Sequence, residues 1–221
     1  MRATVDQFPW PATLSAKVVD SHEAHPLVHG YSVDDDLAVH YRFSDVMFLF
    51  AVGELPSDDA ARAFDVAMMF ASAVSAGDAS VHAASLAQLC GAYPRSVVGV
   101  AAVGAANRAS MLCDDEVFAW LNGSGKVPRT AGADPRTEAL RRALPATFAS
   151  LPIFDQALPI DLAIVAVLFA SGVRDRSRLE MVLTFASMLS GAAEAFATKP
   201  LSFRDYPMGL PAFDYSEEVE P

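Results

Sequence analysis

Charged residues are scarce in this sequence. They make up 19% of the 221 residues, whereas hydrophobic residues make up 52%. Disordered chains have the opposite balance, so the composition excludes a largely disordered protein. Basic residues are scarcer still, with 16 lysines and arginines against 27 acidic residues and a net charge of -11. Because nucleic-acid binders need a basic surface, we expect no nucleic-acid partner.

Cysteine is nearly absent. Cys90 and Cys113 are the only two, and no C-x-x-C spacing occurs. This argues against a disulfide framework, and we expect two buried, reduced thiols in a cytoplasmic protein. His22, His25 and His29 stand at loop spacings with no cysteine nearby, which favours solvated histidines over a metal site.

A signal peptide and a long hydrophobic run are also lacking. The N-terminus has no basic region followed by an apolar core, and it carries an early acid at Asp6. The longest apolar runs, 96–106 and 160–173, are shorter than a membrane span. We interpret both runs as core helices and expect no membrane partner.

Alternating strand patterns and hairpin turns are absent too, so the sequence predicts an all-α fold of about eight to eleven helices. This is either one multi-helical bundle or a large helical domain with a small lobe. We divide the chain into an irregular N-terminal arm (1–29), a helical domain (30–209) and an acidic tail (210–221) that we predict to be disordered. Capping residues predict helix starts at Ser44, Ser57 and Asp134, and the helix from Asp134 is predicted to continue over 138–149. Further helices are predicted at 114–121 and 174–197.

The most distinctive stretch is G-S-G-K-V-P-R followed by D-P-R, within 123–136. A glycine-rich turn lets the backbone approach a ligand, and aspartate followed by proline is typical of a helix start. The N–H groups of a helix start attract anions, and Lys126, Arg129 and Arg136 would add positive charge there. An ordinary polar loop before an amphipathic helix is the simpler interpretation of the same residues.

This stretch resembles G-x-G-H-x-V…D-P-R-x-x-A-L of the citrate synthase family, which includes the short citryl-CoA lyases. Other segments resemble the family in the same order, between about 30 and about 209. They include F-S-D-V-M-F-L-F-A-V-G-E-L-P at 43–56, A-V-G-A-A-N at 102–107 and L-P-I-D-L-A-I-V at 158–165. The resemblance implies a helical citrate synthase-like fold. It also implies carbon–carbon bond chemistry on an acyl-CoA or a small carboxylate, with no cofactor.

The resemblance also implies roles for single residues. Asp161 would be the catalytic base that takes the α-proton of an acyl thioester, and Arg136 would grip a substrate carboxylate. The other substrate-binding residues would be Arg129, Asn107 and Gly125. Asp155 is a rival for the position of the base, and an N-cap at the start of its helix is the structural alternative for Asp161.

Both motif histidines of the family are missing. Val103 and Lys126 stand in their places, and Ser85 and Met188 stand where arginines are expected. Valine can neither donate nor accept a hydrogen bond, whereas Lys126 could act as an electrostatic stabiliser of developing charge. Two hypotheses follow: a divergent enzyme with Asp161 as its base, or a catalytically inactive paralogue that serves as a structural or regulatory subunit. In either case the resemblance implies a homodimer or a heterodimer with a related subunit.

Overall fold

The structure is a computed structural model that describes residues 15–20, 25–128 and 134–199. Ten α-helices within these residues confirm the predicted helical class. The predicted site residue Arg129 and the predicted tail lie outside the described residues. The helices are α1 (Ala38–His40), α2 (Phe43–Val52), α3 (Asp58–Ser72), α4 (Ala79–Leu89), α5 (Pro94–Leu112), α6 (Asp115–Leu121), α7 (Pro135–Ala143), α8 (Ala146–Ala149), α9 (Ile160–Ser171) and α10 (Arg176–Ala197). The strands are β1 (Val19–Asp20), β2 (Leu27–Val28) and β3 (Tyr31–Ser32); a π-helical turn, Val33–Leu37, precedes α1, and a 3-10 turn, Pro152–Asp155, precedes α9.

The three strands form a small antiparallel sheet in the order β1-β2-β3. Val28 of β2 lies opposite Val19 on one side and Tyr31 on the other. His29 and Gly30 turn the chain between β2 and β3 with positive φ angles of 47° and 86°. Alternation cannot reveal strands of two residues, so the sequence did not predict this sheet. It crosses the predicted boundary between the N-terminal arm and the helical domain.

Helix α9 is the buried centre of the fold. Leu162, Val165 and Leu168 each have 0% exposed surface. The helix begins after Pro159 and ends at Gly172, whose φ of 128° breaks the helix. It packs against α3, α7, α6 and α10. The interpretation of the second apolar run as a core helix is therefore confirmed.

Helix α5 is buried on one face only. Val97 and Ala101 join a small apolar cluster with residues of α4 and α10. In contrast, Val103 and Met111 are 63% and 70% exposed. The first apolar run is therefore a core helix on one face, and the prediction is wrong for the other face. A helix made mostly of alanine, glycine and valine has no polar stripe that would identify its solvent side.

Helix α10 has 22 residues and is the one helix among the described residues that is long and apolar enough to cross a membrane. Helices α5 and α6 meet the same criterion as a pair, but the chain bends by 55° between them. Within the fold, α10 packs against α3, α4 and α5, and its first turns carry Arg176, Arg178 and Glu180. This packing accounts for the apolar side of α10 as part of the core.

The predicted starts of α3 and α7 are confirmed, whereas that of α2 is wrong. Ser57 and Asp134 accept hydrogen bonds from the first-turn backbone of their helices. Helix α2 instead uses Asp45, whose side chain accepts a hydrogen bond of 2.8 Å from the backbone N–H of Arg42. The helix begins at Phe43, so Ser44 is its second residue and not its N-cap. A carboxylate in the first turn can accept a hydrogen bond from the N-cap backbone, so the helix does not need a serine at its N-cap.

One predicted helix is divided in two. Leu144 is extended, with a ψ of 154°, and Pro145 follows it, so the chain leaves α7 and starts again as α8. Proline lacks the N–H that would continue the helix, and it forces the preceding residue out of the helical region. The last helix begins at Arg176 rather than at the predicted Arg174.

The two cysteines lie in different environments. Cys113 is fully buried, and burial, with Glu180 nearby, raises the pKa of its thiol to about 12. Cys90 is exposed directly after the last turn of α4. The prediction of two buried thiols is therefore right for Cys113 and wrong for Cys90, because α4 ends at the surface.

Candidate functional site

Asp134 ties the first turn of α7 to the first turn of α9. Its Oδ1 accepts a hydrogen bond of 2.8 Å from the backbone N–H of Arg136, and its Oδ2 accepts one of 3.3 Å from that of Ile160. The buried hydroxyl of Thr137 donates to the carbonyl of Leu158 at 3.0 Å. The first turns of α7 and α9 therefore lie side by side, and their second residues, Arg136 and Asp161, lie at a common site.

Arg108 joins three helices through two ion pairs. Its Nε lies 3.2 Å from Oδ2 of Asp78, and its Nη2 donates to Oδ1 of Asp161 at 2.7 Å. Arg108 belongs to α5, Asp78 is the N-cap of α4, and Asp161 is the second residue of α9. The side chains of Arg108, Asp78 and Asp161 are 25%, 21% and 40% exposed. The pairs are thus partly shielded from water, and they interact more strongly than pairs on an open surface do.

Asp161 forms an ion pair rather than a helix cap. Pro159 occupies the N-cap position of α9, and no side chain of that position accepts a hydrogen bond from the helix. The side chain of Asp134 satisfies the first N–H of α9 instead. The structural alternative that the sequence left open for Asp161 is therefore wrong.

A polar cavity of about 280 Å³ lies beside this ion-pair cluster. The N-cap of α4 and the first turns of α7 and α9 border it, so the positive ends of three helix dipoles lie beside it. Arg108 and Arg136 carry two positive charges and Asp78 and Asp161 two negative ones, so the formal charge of the lining is zero and the positive helix ends favour an anion. The described residues form no ion pair with the guanidinium of Arg136. The residues that line the cavity are Phe70, Ala73, Val74, Ser75, Gly77, Asp78, Arg108, Arg136, Ile160 and Asp161.

This polar cavity has the features of a site for a small carboxylate. Helix N-termini bind anions through their unpaired N–H groups and their dipoles. Arginine binds carboxylates through two parallel hydrogen bonds. Arg136 is exposed and unpaired among the described residues, so its guanidinium is available to such a ligand.

A larger, apolar cavity of about 860 Å³ lies on the other side of the same cluster. Residues of α4 and α5 form its wall, among them Val103, Gly104, Asn107 and Met111. Asp78, Arg108 and Asp161 line both cavities. The ion-pair cluster is therefore the boundary between a polar and an apolar compartment.

The structure brings three of the predicted site residues together. Asp161 and Arg136 line the polar cavity, and Asn107 lines the apolar one. Asp155, the rival for the base, is exposed at the end of the 3-10 turn and lines neither of the two cavities. The position of Asp161 on both cavities favours it over Asp155.

Lys126 and Gly125 lie elsewhere. Lys126 is exposed on the loop after α6, and it lines neither cavity. A Cβ at Gly125 would lie 2.9 Å from the backbone nitrogen of Trp120, so this glycine lets the loop pack closely on α6. This close contact explains the glycine at 125 by packing. The roles of Gly125 in substrate binding and of Lys126 in catalysis stay predictions.

Sequence reasoning missed the other two members of the ion-pair cluster, Arg108 and Asp78. Arg108 follows Asn107 of the A-V-G-A-A-N frame, and it is the one charged residue between 96 and 113. A single charge in so apolar a stretch is a recognisable sign of a paired or functional group. Asp78 gave no such sign, because an aspartate before a helix is explained by capping alone.

His22 lies outside the described residues, and the described part of the histidine region shows no metal centre. No group of three or more histidine, cysteine, aspartate or glutamate side chains lies close enough there to share an ion. His25 lies 3.1 Å from Asp34, as a solvated histidine can. His29 differs from the expectation, because its Nε2 is buried and has no hydrogen-bond partner among the described residues.

Comparison with known proteins identifies the fold. No protein-family model and no curated protein sequence matches the chain. A solved structure of citryl-CoA lyase from Hydrogenobacter thermophilus is similar, with a TM-score of 0.64 at 17% identity over 93% of this chain and 98% of that one. The fold is that of citryl-CoA lyase. The expected citrate synthase-like scaffold is therefore confirmed.

A second solved structure shares the citryl-CoA lyase fold. It is ATP citrate lyase from Methanothrix soehngenii in complex with citrate and coenzyme A. The TM-score is 0.60 at 13% identity, and the match covers 98% of this chain and 44% of that one. At these identities the likeness establishes the fold, and the chemistry has to be argued from the side chains.

Proposed function

We propose that this protein is a divergent enzyme of the citryl-CoA lyase type. In this proposal it makes or cleaves a carbon–carbon bond between a small carboxylate and an acyl-CoA, with Asp161 as the base. One observation carries the proposal. Asp161 and Arg136, which the resemblance assigns to catalysis and substrate binding, line one polar cavity, and Arg108, the partner of Asp161, lines it too.

The polar cavity would hold the carboxylate substrate. Arg136 supplies an unpaired guanidinium among the described residues, and the N-termini of α7 and α9 favour negative charge. Its volume of about 280 Å³ suits a ligand of a few heavy atoms rather than a cofactor. The acyl part of the thioester would enter the apolar cavity, where Val103 and Met111 offer apolar contacts.

Asp161 would move one proton. In the bond-forming direction it takes the α-proton of the acyl thioester, the resulting carbanion attacks the carbonyl carbon of the second substrate, and the oxygen of that carbonyl takes a proton from water. In the cleavage direction the hydroxyl gives its proton to water as the carbon–carbon bond breaks, and Asp161 returns its proton to the α-carbon. Val103 cannot stabilise the enolate oxygen, so the barrier should lie several kcal/mol above that of an enzyme with a donor there. Lys126 stays the predicted stabiliser, although it lines neither cavity.

The test is a titration followed by a turnover assay. Isothermal calorimetry with citrate, oxaloacetate, acetyl-CoA and free CoA measures binding. Consumption of oxaloacetate with acetyl-CoA, or release of oxaloacetate from citryl-CoA, measures turnover. Turnover should fall by a factor of about a thousand or more in Asp161→Asn, because asparagine cannot accept the proton. Asp155→Asn is the matched control and should leave turnover unchanged. Equal activity of wild-type protein and Asp161→Asn would rule out the assigned base.

A catalytically inactive paralogue is the second candidate function. It is favoured by Val103 on the cavity wall and by Arg108, which already pairs with the proposed base. Such a protein would act as a structural or regulatory subunit of a homodimer or of a heterodimer with a related, active chain. Ligand binding without turnover under any assay condition, together with a stable complex with such a chain, would support this role. A cytoplasmic location is part of both proposals.

A further inference from the structure

The two carboxylates that pair with Arg108 are held very differently. Asp78 is fixed, because its Oδ1 accepts hydrogen bonds from the backbone N–H and the hydroxyl of Ser80 while its Oδ2 pairs with Arg108. Asp161 contacts Arg108 through Oδ1 alone, and it caps no helix. Its side chain is also the more exposed of the two, at 40% against 21%. Asp161 can therefore leave Arg108 by a side-chain rotation, whereas Asp78 cannot.

We infer that Asp161 is an internal competitor for Arg108. The inference rests on the proposed carboxylate site and adds a coupling between that site and the proposed base. A ligand with two or more carboxylates places one on Arg136 and another on Arg108, and it takes the position that Asp161 holds in the unliganded protein. Asp161 then leaves the ion pair, and Arg108 stays anchored through Asp78.

The consequence for the site is a coupling between binding and the base. Without the carboxylate ligand, Arg108 occupies one oxygen of Asp161 at the boundary of the two cavities. With the ligand bound, both oxygens of Asp161 are available to the apolar cavity, where the acyl group would lie. Arg108 is thus a positioning residue that holds the base until the carboxylate arrives.

An internal competitor lowers the apparent affinity of its ligand. The apparent dissociation constant equals the intrinsic one divided by the fraction of protein in which Arg108 is not paired with Asp161. Removing the competing charge should therefore tighten binding of a polycarboxylate, although it removes the proposed catalytic base. A residue that only supports the fold, or one that only contacts substrate, would lower or keep the affinity when replaced.

The experiment compares citrate binding by calorimetry in wild-type protein, Asp161→Asn and Asp78→Asn. Both substitutions remove one negative charge beside Arg108, and asparagine keeps the N-cap at 78. We expect Asp161→Asn to bind citrate about tenfold more tightly, which corresponds to about 1.4 kcal/mol. Asp78→Asn should show a clearly smaller gain. Acetate, which has one carboxylate and cannot reach both arginines, should show no such difference between the two variants.

A second pair of variants shows whether the gain depends on Arg108. Adding Arg108→Gln to Asp161→Asn should abolish the gain, whereas adding Arg108→Lys, which keeps the charge, should retain part of it. Circular dichroism and thermal melting show whether each variant is folded. If the variant with Arg108→Gln does not fold, the partial loss of the gain with Arg108→Lys tests the same dependence on Arg108. Equal gains in Asp161→Asn and Asp78→Asn would show a general charge effect and would overturn the internal competitor.

The outcomes separate this inference from the proposed function. Citrate binding to wild-type protein with no gain in Asp161→Asn overturns the competitor and leaves the carboxylate site standing. A gain in Asp161→Asn with no turnover in wild-type protein supports the competitor and overturns the catalytic proposal. The absence of citrate binding in wild type and in all variants overturns both.

Discussion

At the scale of single residues, burial separates two thiols of the same intrinsic chemistry. Cys113 has 0% exposed surface, and its pKa is raised from 9.0 to about 12, first by burial and then by Glu180. The folded protein therefore keeps a proton that the unfolded chain releases. This thiol contributes stability that is fully present below about pH 9 and is lost as the pH rises toward about 12.

We predict that replacing Cys113 by alanine flattens the alkaline dependence of stability. In the wild-type protein this group should lower the free energy of unfolding by about 1.4 kcal/mol for each pH unit above its unfolded pKa. Urea unfolding at about pH 8, 9 and 10 measures the slope. Cys90→Ala is the matched control, because Cys90 is exposed. Parallel slopes for wild-type protein and Cys113→Ala would contradict the assigned burial effect.

Residue roles could be predicted from the sequence only where they depend on near neighbours. The cap at Asp134 is readable because its partner, the N–H of Arg136, lies two residues away. The ion pair of Arg108 with Asp161 joins residues 53 positions apart, and it forms only because α5 and α9 meet. The family resemblance assigned Asp161 the role of a base, and the structure places this residue on the wall of both cavities. Nothing in the order of residues indicated which cation it would contact.

At the scale of elements, two glycines of α5 differ in how closely the rest of the fold packs against them. A Cβ at Gly104 would lie 2.6 Å from the Cα of Ser80, so this glycine lets α4 and α5 approach closely. A Cβ at Gly99 would have no heavy atom within 4 Å. Gly104 is thus required by packing, whereas Gly99 only adds flexibility to the helix.

We predict opposite changes in stability for the two alanine variants. Gly104→Ala should lower the free energy of unfolding by about 1–3 kcal/mol, because α4 or α5 must move. Gly99→Ala should raise it by about 0.5–1 kcal/mol, as expected for glycine in an open helix position. Urea unfolding of both variants beside wild type measures the changes. Stabilisation by both substitutions would mean that α4 and α5 lie further apart than described.

The same two helices show why some elements were easier to predict than others. The residues of α9 are apolar all round, which indicates burial on every side, and the structure agrees. Helix α5 is just as uncharged over most of its length, yet it exposes Val103 and Met111. Hydrophobicity therefore predicted the existence of both helices, but it could not indicate which face of α5 would remain uncovered.

At the scale of the whole molecule, the order of the motifs was enough to predict the scaffold. Segments in family order from 43–56 to 158–165 imply one arrangement of helices, and the TM-score of 0.64 to citryl-CoA lyase confirms it. The chemistry could not follow in the same way, since Val103 and Lys126 depart from the motifs at the positions that define it. A shared scaffold therefore does not carry the chemistry of the family with it.

The uncovered face of α5 leads to a prediction about assembly. Val103 and Met111 of α5 are 63% and 70% exposed, and Tyr93 at its N-cap is 67% exposed. Exposed apolar side chains that continue along one element are typical of protein–protein interfaces. We therefore predict a dimer in solution that covers α5, as the resemblance implies, and sedimentation equilibrium measures its dissociation constant.

Met111→Glu should weaken this dimer, because a carboxylate would be buried in an apolar contact without a partner. The dissociation constant should rise by about thirtyfold or more, which corresponds to about 2 kcal/mol. Met69→Glu is the matched control, since Met69 is 62% exposed but belongs to α3. A wild-type monomer at all concentrations, or equal effects of the two substitutions, would show that α5 is not the interface. Because Val103 and Met111 also line the apolar cavity, the predicted dimer would close the solvent side of the cavity that is proposed for the acyl group.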